Sequence, residues 1–383
     1  MERKLASIRQ VNRRMEIPKA ENIEMIFVDG WQLIAKKGEF KTGDLCVFFE
    51  VDSILPINPV FAFMERRKFK VKTAKFMKQI SQGLALPTSI LKDFNIIEFK
   101  LGDDVTEAIG VTKYDPEANR IIIEKMRANY PWWKKILFRY KYTRNVIKYY
   151  ERKSSFPSDI VKKTDEERIQ NMTLSLDNYV KKVIDITEKL DGQSATYIYR
   201  PNYLFPEVIV CSRNQILKNP NNSSCWTIFR KDKILNKLKQ IHKQLKLGRK
   251  DYIIFQGEII GMSIQKNKYK LNDYHFYLFN LKTNIKGNVK QYGYHESGII
   301  IHKLEMNLKQ VPFTGTIDMC NTEQLIKSVK SCGELKSNIN PDLQAEGIVC
   351  RVRDEQQLSF KYINPKFRLK WDKIAGKDEQ SND

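Results

Sequence analysis

The sequence predicts an α+β protein: a small N-terminal β-barrel followed by a larger domain of mixed α and β character. Two patterns carry that expectation. Over roughly the first 110 residues, short apolar runs alternate in period two between Asp-Gly and Gly-Asp turns, the signature of a small barrel. From about Thr164 onward, longer strand-like runs are broken by segments whose apolar residues recur at helical spacing. With 383 residues, 42% of them hydrophobic, the chain is long enough for each domain to bury its own core.

In the N-terminal part, IEMIFVDGWQLIAKK alternates on either side of the turn at Asp29 and Gly30, and GDLCVFFEVDSIL is an apolar run opened by a Gly-Asp turn. ISQGLALPTSIL and GDDVTEAIGV continue the strand pattern, so residues 1–112 are expected to form an OB-like barrel, a fold often used to bind nucleic acid. Residues 113–163 form a connector in which Asn129–Lys153 interleaves aromatic and basic residues. That composition suits a surface for single-stranded nucleic acid, with rings on bases and cations on phosphates, and equally a connecting helix packed on a neighbouring domain. Pro157 ends such a helix.

In the larger domain, residues 164–373, strands are expected in VIDITEKL, SATYIYR, EVIVCSRN, DYIIFQGEIIG, DYHFYLFNLK, GIVCRV and LSFKYIN. In IFRKDKILNKLKQIHKQLKLG, Ile228 to Gly248, the residues Ile234, Leu235, Leu238, Ile241 and Leu245 share one face of a predicted helix closed by Gly248. A second helix starts at Asn321, with Gln324 three residues on, and stops at Gly333. The tail 374–383 is expected to be disordered.

The net charge of +22 favours polyanionic partners. No apolar run approaches the roughly 18 residues of a membrane span, and MERKLASIRQ lacks a secretory apolar centre. An intracellular monomer, cytoplasmic or nuclear and away from membranes, is the expectation. The six cysteines form no CxxC pair, which argues against a zinc site or a disulfide framework.

Four separated stretches carry candidate chemistry. Lys189 and Asp191 in EKLDG lie at a strand end beside a turn, where side chains reach a cleft. Glu258 interrupts an apolar strand, where a charge needs a partner or a metal. Glu346 precedes another strand, and Lys361 sits among apolar and aromatic residues. Taken singly, KxDG is a solvated turn more often than a nucleophile, and a lone buried Glu more often partners an Arg.

Their order is informative. KLDG at Lys189–Gly192, SRN at Ser212–Asn214, QGEIIG at Gln256–Gly261, FYLFN at Phe276–Asn280, EGIV at Glu346–Val349 and SFK at Ser359–Lys361 resemble the signatures of the covalent nucleotidyltransferase superfamily. KTDEERIQN, QKNKYKL and the N-terminal GDLCVFFEVDSILP and QISQGLALP narrow the resemblance to the ATP-dependent RNA ligases whose OB domain precedes the nucleotidyltransferase domain, the fifth RNA ligase family. DNA ligases and capping enzymes of the superfamily carry their OB domain afterwards, and the short stretch after Lys370 leaves no room for one.

The resemblance implies an ATP-grasp-like nucleotidyltransferase domain of antiparallel sheets and helices, with ATP and Mg2+ or Mn2+ as cofactors and RNA, in the form of a nicked duplex, as partner. It implies that Lys189 attacks the α-phosphorus of ATP, that AMP passes to an RNA 5′-phosphate, and that a 3′-hydroxyl then seals the ends. Asp191, Glu258 and Glu346 are expected to hold the metal through its water shell. Lys361 contacts the α-phosphate, Arg213 the 3′ side of the nucleotide or the substrate phosphate, and Arg168 the leaving pyrophosphate. Phe276 is expected to stack on adenine, its alternative being a core aromatic, and Glu188 joins the nucleotide contacts. A free lysine is protonated at pH 7, so the mechanism requires nearby positive charge, from the metal and Lys361, to lower the Lys189 pKa. Two departures stand out: Ile363 where related ligases carry a second lysine, a charge that Lys366 or Lys370 could supply, and Asn280 where aspartate is common. A DNA ligase, an RNA guanylyltransferase and an inactive RNA-binding protein are the competing readings.

Overall fold

The computed structural model describes residues 4–114, 155–172, 175–202, 206–217 and 223–371. The basic-aromatic stretch Asn129–Lys153 and the expected disordered tail lie outside the described residues. The chain divides into two compact units. One gathers the described residues up to Tyr114 with 167–172, 175–178 and 362–371; the other gathers 155–166 and those between Tyr179 and Lys361.

The first unit is built on β1 (Ala6–Glu16), β2 (Ile23–Val28), β3 (Trp31–Lys36) and β4 (Leu45–Phe49). Short strands follow: β5 (Ser53–Ile54), β6 (Thr73–Phe76), β7 (Gln79–Gln82), β8 (Leu84–Pro87) and β9 (Thr112–Lys113). Five of these form an antiparallel sheet in the order β3-β2-β1-β4-β8. The long β1 serves both halves. Ala6–Gln10 pair with β4, a bulge interrupts the ladder between Val11 and Arg13, and the rest pairs with β2. A bulge bends its strand and increases its twist, which curls the sheet into the expected OB half-barrel. The β2–β3 hairpin turns at Asp29, whose φ of 49° is left-handed, as the Asp-Gly pair predicts.

Alternation then fills two cores. Val11, Ile26, Val28, Trp31 and Leu33 belong to one, and Ala6, Ile8, Val47, Phe49 and Phe61 to the other. GDDVTEAIGV does not continue the strands. Asp104 Oδ1 accepts from the Thr106 amide at 3.0 Å, and Thr106–Ile109 closes a helical turn, α1, ended by Gly110 at φ 81°. A local side-chain bond to the backbone here outcompetes a sheet ladder.

The same unit holds β10 (Glu167–Arg168) and the turn after it, where the Gly30 amide donates to the Gln170 carbonyl at 3.1 Å and Trp31 Nε1 donates to Asn171 Oδ1 at 2.6 Å. Arg168 is buried, its guanidinium 3.2 Å from Glu50 and 3.4 Å from Asp52.

The second unit contains β11 (Ile184–Lys189), β12 (Gln193–Arg200), β13 (Glu207–Cys211), α2 (Ser224–Lys231), α3 (Ile234–Gln244), β14 (Tyr252–Ile260) and β15 (His275–Ile285). There follow β16 (Asn288–Tyr292), α4 (Tyr294–Lys303), β17 (Phe313–Ile317), α5 (Thr322–Gly333), β18 (Gly347–Val352) and β19 (Ser359–Ile363), the last two residues of β19 falling in the first unit. One antiparallel sheet runs β13-β12-β14-β15-β16; in a second, β19, β18, β11 and β17 are neighbours in that order. Ile234, Leu238 and Ile241 of α3, at i, i+4 and i+7, pack on the first sheet with Tyr197, Ile253 and Phe255.

The single helix expected from Ile228 to Gly248 is two. Lys233 at φ 51° separates α2 from α3, and α3 ends at Gln244 before Gly248 is reached. The helix α4 had no counterpart in the sequence reading. Helix α5 starts and ends as its spacing predicts, with Asn321 Oδ1 accepting from the Gln324 amide at 2.9 Å. All six cysteines are free thiols, and among the described residues no helix is long and apolar enough to cross a membrane.

Replacing Glu50 with Ala removes the carboxylate 3.2 Å from the buried Arg168 guanidinium. We expect a loss of about 3 kcal/mol, because removing one partner of a buried pair strands the other charge, read as a lower urea midpoint at unchanged slope.

Candidate active site

Lys189 is the last residue of β11, and the turn Leu190–Gly192 carries the chain from one sheet of the second unit into β12 of the other. A side chain at this junction faces strand ends from both sheets. On one side, Lys189 pairs in register with Gly347 of β18, which brings the preceding Glu346 to the amine: Lys189 Nζ lies 2.8 Å from Glu346 Oε1 and 2.7 Å from Oε2. On the other, β12 pairs with β14 so that Ser194 opposes Glu258, and the Gly192 amide donates to Glu258 Oε1 at 3.2 Å. The Asp191 amide donates to the Tyr269 hydroxyl at 2.8 Å, while its carboxylate pairs with Lys268.

Two glycines of the motifs are there for close approach. A Cβ at Gly192 would lie 2.3 Å from the Ile259 carbonyl and 2.9 Å from Glu258 Cγ; one at Gly257 would lie 2.3 Å from the Phe276 ring. Both contacts are within repulsive range, so any larger residue would push Glu258 or its strand away from the amine.

Burial by itself would pull the Lys189 pKa down, but Glu346, Glu258 and Asp191 together outweigh it and hold the pKa above the ordinary lysine value. The amine is therefore a protonated cation held by carboxylates. The depressing positive charge expected from the sequence is not what the described residues supply, because the terminal amine of Lys361 is 2.6 Å from Asp165. Burial drives the Glu258 carboxyl up to about 8, with Lys189 and Arg213 opposing and Glu346 and Asp191 reinforcing the rise. Without a metal Glu258 keeps its proton; once it ionises, the hard oxygen donors of Asp191, Glu258 and Glu346 suit a divalent cation such as magnesium or manganese. Among the described residues no group of three His, Cys, Asp or Glu side chains is arranged to bind a metal ion directly.

Arg213 joins the site through its field on Glu258 and through Asp165 Oδ2, 3.4 Å away; Asp165 thus bridges Arg213 and Lys361. Glu188 is buried, and its Oε2 accepts from the Asn338 amide at 2.8 Å, while its Oε1 has no hydrogen-bond partner. Burial, partly countered by Ser337 and by the hydrogen bonds from Asn338, raises its pKa.

Phe276 does not face the site. It opposes Ile259, is 2% exposed and packs edge-on against Tyr197 in the core. Glu258 instead opposes Tyr277, so the aromatic on the carboxylate's side of the sheet is Tyr277, 7% exposed and close enough to Glu188 for that carboxylate to raise its pKa. A register shift at Gln256 and Gly257 then brings Asn280 opposite Gln256, whose Oε1 accepts from Asn280 Nδ2 at 3.1 Å. Arg168, Lys366 and Lys370 belong to the first unit, where Arg168 is held by Glu50 and Asp52, and Lys370 lies over Trp371. Asp165, Lys268, Tyr269 and Tyr277 were not singled out by sequence reasoning, although QKNKYKL and KTDEERIQN, which contain three of them, were noted as stretches.

A lysine presented with carboxylates at a sheet junction, in a chain that also carries an OB half-barrel, is the arrangement a ligase-class nucleotidyltransferase would need, and comparison with known proteins supports that class. The RNA ligase family matches residues 182–367 and an OB-fold domain matches residues 5–88, so the chain carries an RNA ligase family domain behind an OB-fold domain. Among solved structures it is similar to a Naegleria gruberi RNA ligase variant with AMP and manganese, at TM-score 0.76 and 29% identity over 96% of this chain and 99% of that one. The same ligase with pyrophosphate aligns at TM-score 0.73 and 28% identity over 96% and 98%. A variant of it with ATP and manganese gives 0.75 and 28% over 96% and 99%. Among curated proteins no relative matches.

The raised Glu258 pKa sets a stability trend. The folded, metal-free protein keeps a proton that the unfolded chain releases above its ordinary 4.5, so this contribution is complete below 4.5 and is lost as pH rises through about 8. Glu258→Gln removes that dependence. In EDTA its melting temperature should gain on the parent between pH 5 and pH 8.5, and a gain that shrinks with pH would contradict the assignment.

Proposed function

We propose that the protein is an ATP-dependent RNA ligase that joins 3′-hydroxyl and 5′-phosphate ends through a lysyl-AMP intermediate. The observation that carries the reading is the Lys189 amine, held at 2.7–2.8 Å by Glu346 and set among Asp191 and Glu258. The solved relatives with ATP, AMP or pyrophosphate support ATP as the nucleotide.

Lys189 Nζ is the nucleophile. Once it has lost its proton, its lone pair attacks the α-phosphorus, the N–P bond forms, the bond to the β-phosphate oxygen breaks, and pyrophosphate leaves. Glu346, the carboxylate in contact with the amine, aims it and holds its proton until ATP arrives. A divalent cation bound by Asp191, Glu258 and Glu346 through water would supply the positive charge that offsets the carboxylates' hold on the amine. Lys361 meets the α-phosphate and Arg213 a neighbouring phosphate or the 3′ side of the nucleotide, each stabilising charge that grows in the transition state. Tyr277 takes the stacking role first expected of Phe276, and the unpaired Glu188 oxygen beside it is an acceptor for the adenine amino group.

AMP is then transferred to an RNA 5′-phosphate, and the 3′-hydroxyl displaces it. The +22 charge and the OB barrel, residues 1–112, with the connector 113–163 fit a monomeric intracellular clamp on the phosphates of a nicked RNA duplex, and residues 164–373 carry the chemistry.

With α-labelled ATP and a divalent cation, label should stay on the protein through denaturing electrophoresis and be absent in Lys189→Ala. Labelling from GTP alone would indicate a guanylyltransferase, and RNA binding with no labelled protein an inactive binder. Tyr277→Ala should raise KM for ATP by about tenfold with folding intact, the worth of one base–aromatic stack. Phe276→Ala should instead cost about 3–5 kcal/mol of stability, as loss of a core aromatic does.

A further inference from the structure

The two cations assigned above to phosphates already share one anion. Asp165 Oδ1 lies 2.6 Å from Lys361 Nζ, and Asp165 Oδ2 lies 3.4 Å from Arg213. Lys361 is only 7% exposed, so its charge is poorly solvated and needs a counter-ion whenever phosphate is absent. A carboxylate with one oxygen toward each cation has the charge and the two-pronged shape of a phosphate edge.

The segment bearing Asp165 is pinned on both sides. The Phe156 amide donates to the Asn214 carbonyl at 3.1 Å, Asn284 Nδ2 donates to the Ile160 carbonyl at 2.7 Å, and Gln256 Nε2 donates to the Lys162 carbonyl at 3.2 Å. Beyond Asp165, Glu166 is bound to Arg351 at 2.6 Å. The backbone is held while the Asp165 side chain, 30% exposed, keeps room to turn aside.

We propose that Asp165 is a built-in stand-in for phosphate: it neutralises Lys361 and Arg213 in the nucleotide-free protein and is displaced when a nucleotide phosphate reaches them. This rests on the phosphate-binding roles proposed for those two residues. It assigns Asp165 a cost in affinity and a gain in keeping the buried lysine satisfied between turnovers. Asp165 then differs from a residue that merely aims Lys361, whose loss would slow the reaction and would not tighten phosphate binding.

The test measures equilibrium binding of AMP and of adenosine to the full chain and to Asp165→Asn, with Asp165→Ser as a second variant should the amide fold poorly. Removing the competing charge should lower the Kd for AMP by about three- to tenfold, less at high salt, and leave adenosine, which has no phosphate, unchanged. In adenylylation the variant should show a lower KM for ATP with its maximal rate within about twofold. Unchanged or weaker AMP binding, or a collapse of the maximal rate, would overturn the proposal and make Asp165 a positioning residue. Absence of AMP binding by both proteins would also overturn it. Tighter AMP binding by the variant, with no protein-linked label from ATP in the parent, would uphold the stand-in and sink the ligase reading instead.

Discussion

The second unit is organised around one cation that must be stable in a crowd of carboxylates. Lys189 ends β11 where the chain passes from one sheet to the other, and its neighbours are delivered by register: Glu346 by the pairing of Lys189 with Gly347, Glu258 by the pairing of Ser194 with Glu258. Neither sheet alone could build the cluster. The close approach requires Gly192 and Gly257, because a methyl group at either would occupy the space of the Ile259 carbonyl or the Phe276 ring. The motif glycines and the motif charges are thus parts of one packing problem.

Charge around the site is handled by local pairing. A chain of net charge +22 places acidic side chains against several shielded cations: Glu346 on Lys189, Asp165 on Lys361, Glu166 on Arg351, and Glu50 with Asp52 on Arg168. Each pair offsets part of the desolvation cost of its cation. Where burial dominates, as at Glu258, a carboxyl is pushed up to about 8, and a bound divalent cation would draw it back toward the ionised form.

Much of this site could be read in the linear sequence. Lys189, Asp191, Glu258 and Glu346 gather as their spaced motifs imply, because each sits within or beside a strand-like run whose pairing needs little beyond alternation to guess. The misassignments share a cause in backbone irregularity. In FYLFN the choice between Phe276 and Tyr277 depends on which residue opposes Glu258, and the bulge beside Gly257 makes strict alternation unreliable across the motif. Lys233 in a left-handed conformation broke a helix whose apolar spacing looked continuous, and one side-chain bond from Asp104 turned an expected strand into a helical turn.

The sequence by itself determined most of the longer strands, the OB barrel ahead of the larger domain, and the candidate lysine and carboxylates, since these follow from periodicity, turn chemistry and ordered motifs over short distances. The tertiary structure alone decided the protonated state of Lys189, the face offered by β15 and the sharing of Asp165 between Lys361 and Arg213. Those depend on burial and on distances between residues as far apart in the chain as Asp165 and Lys361, and Coulomb energies at a few ångströms in a poorly solvated interior are set by such distances, not by the order of residues along the chain.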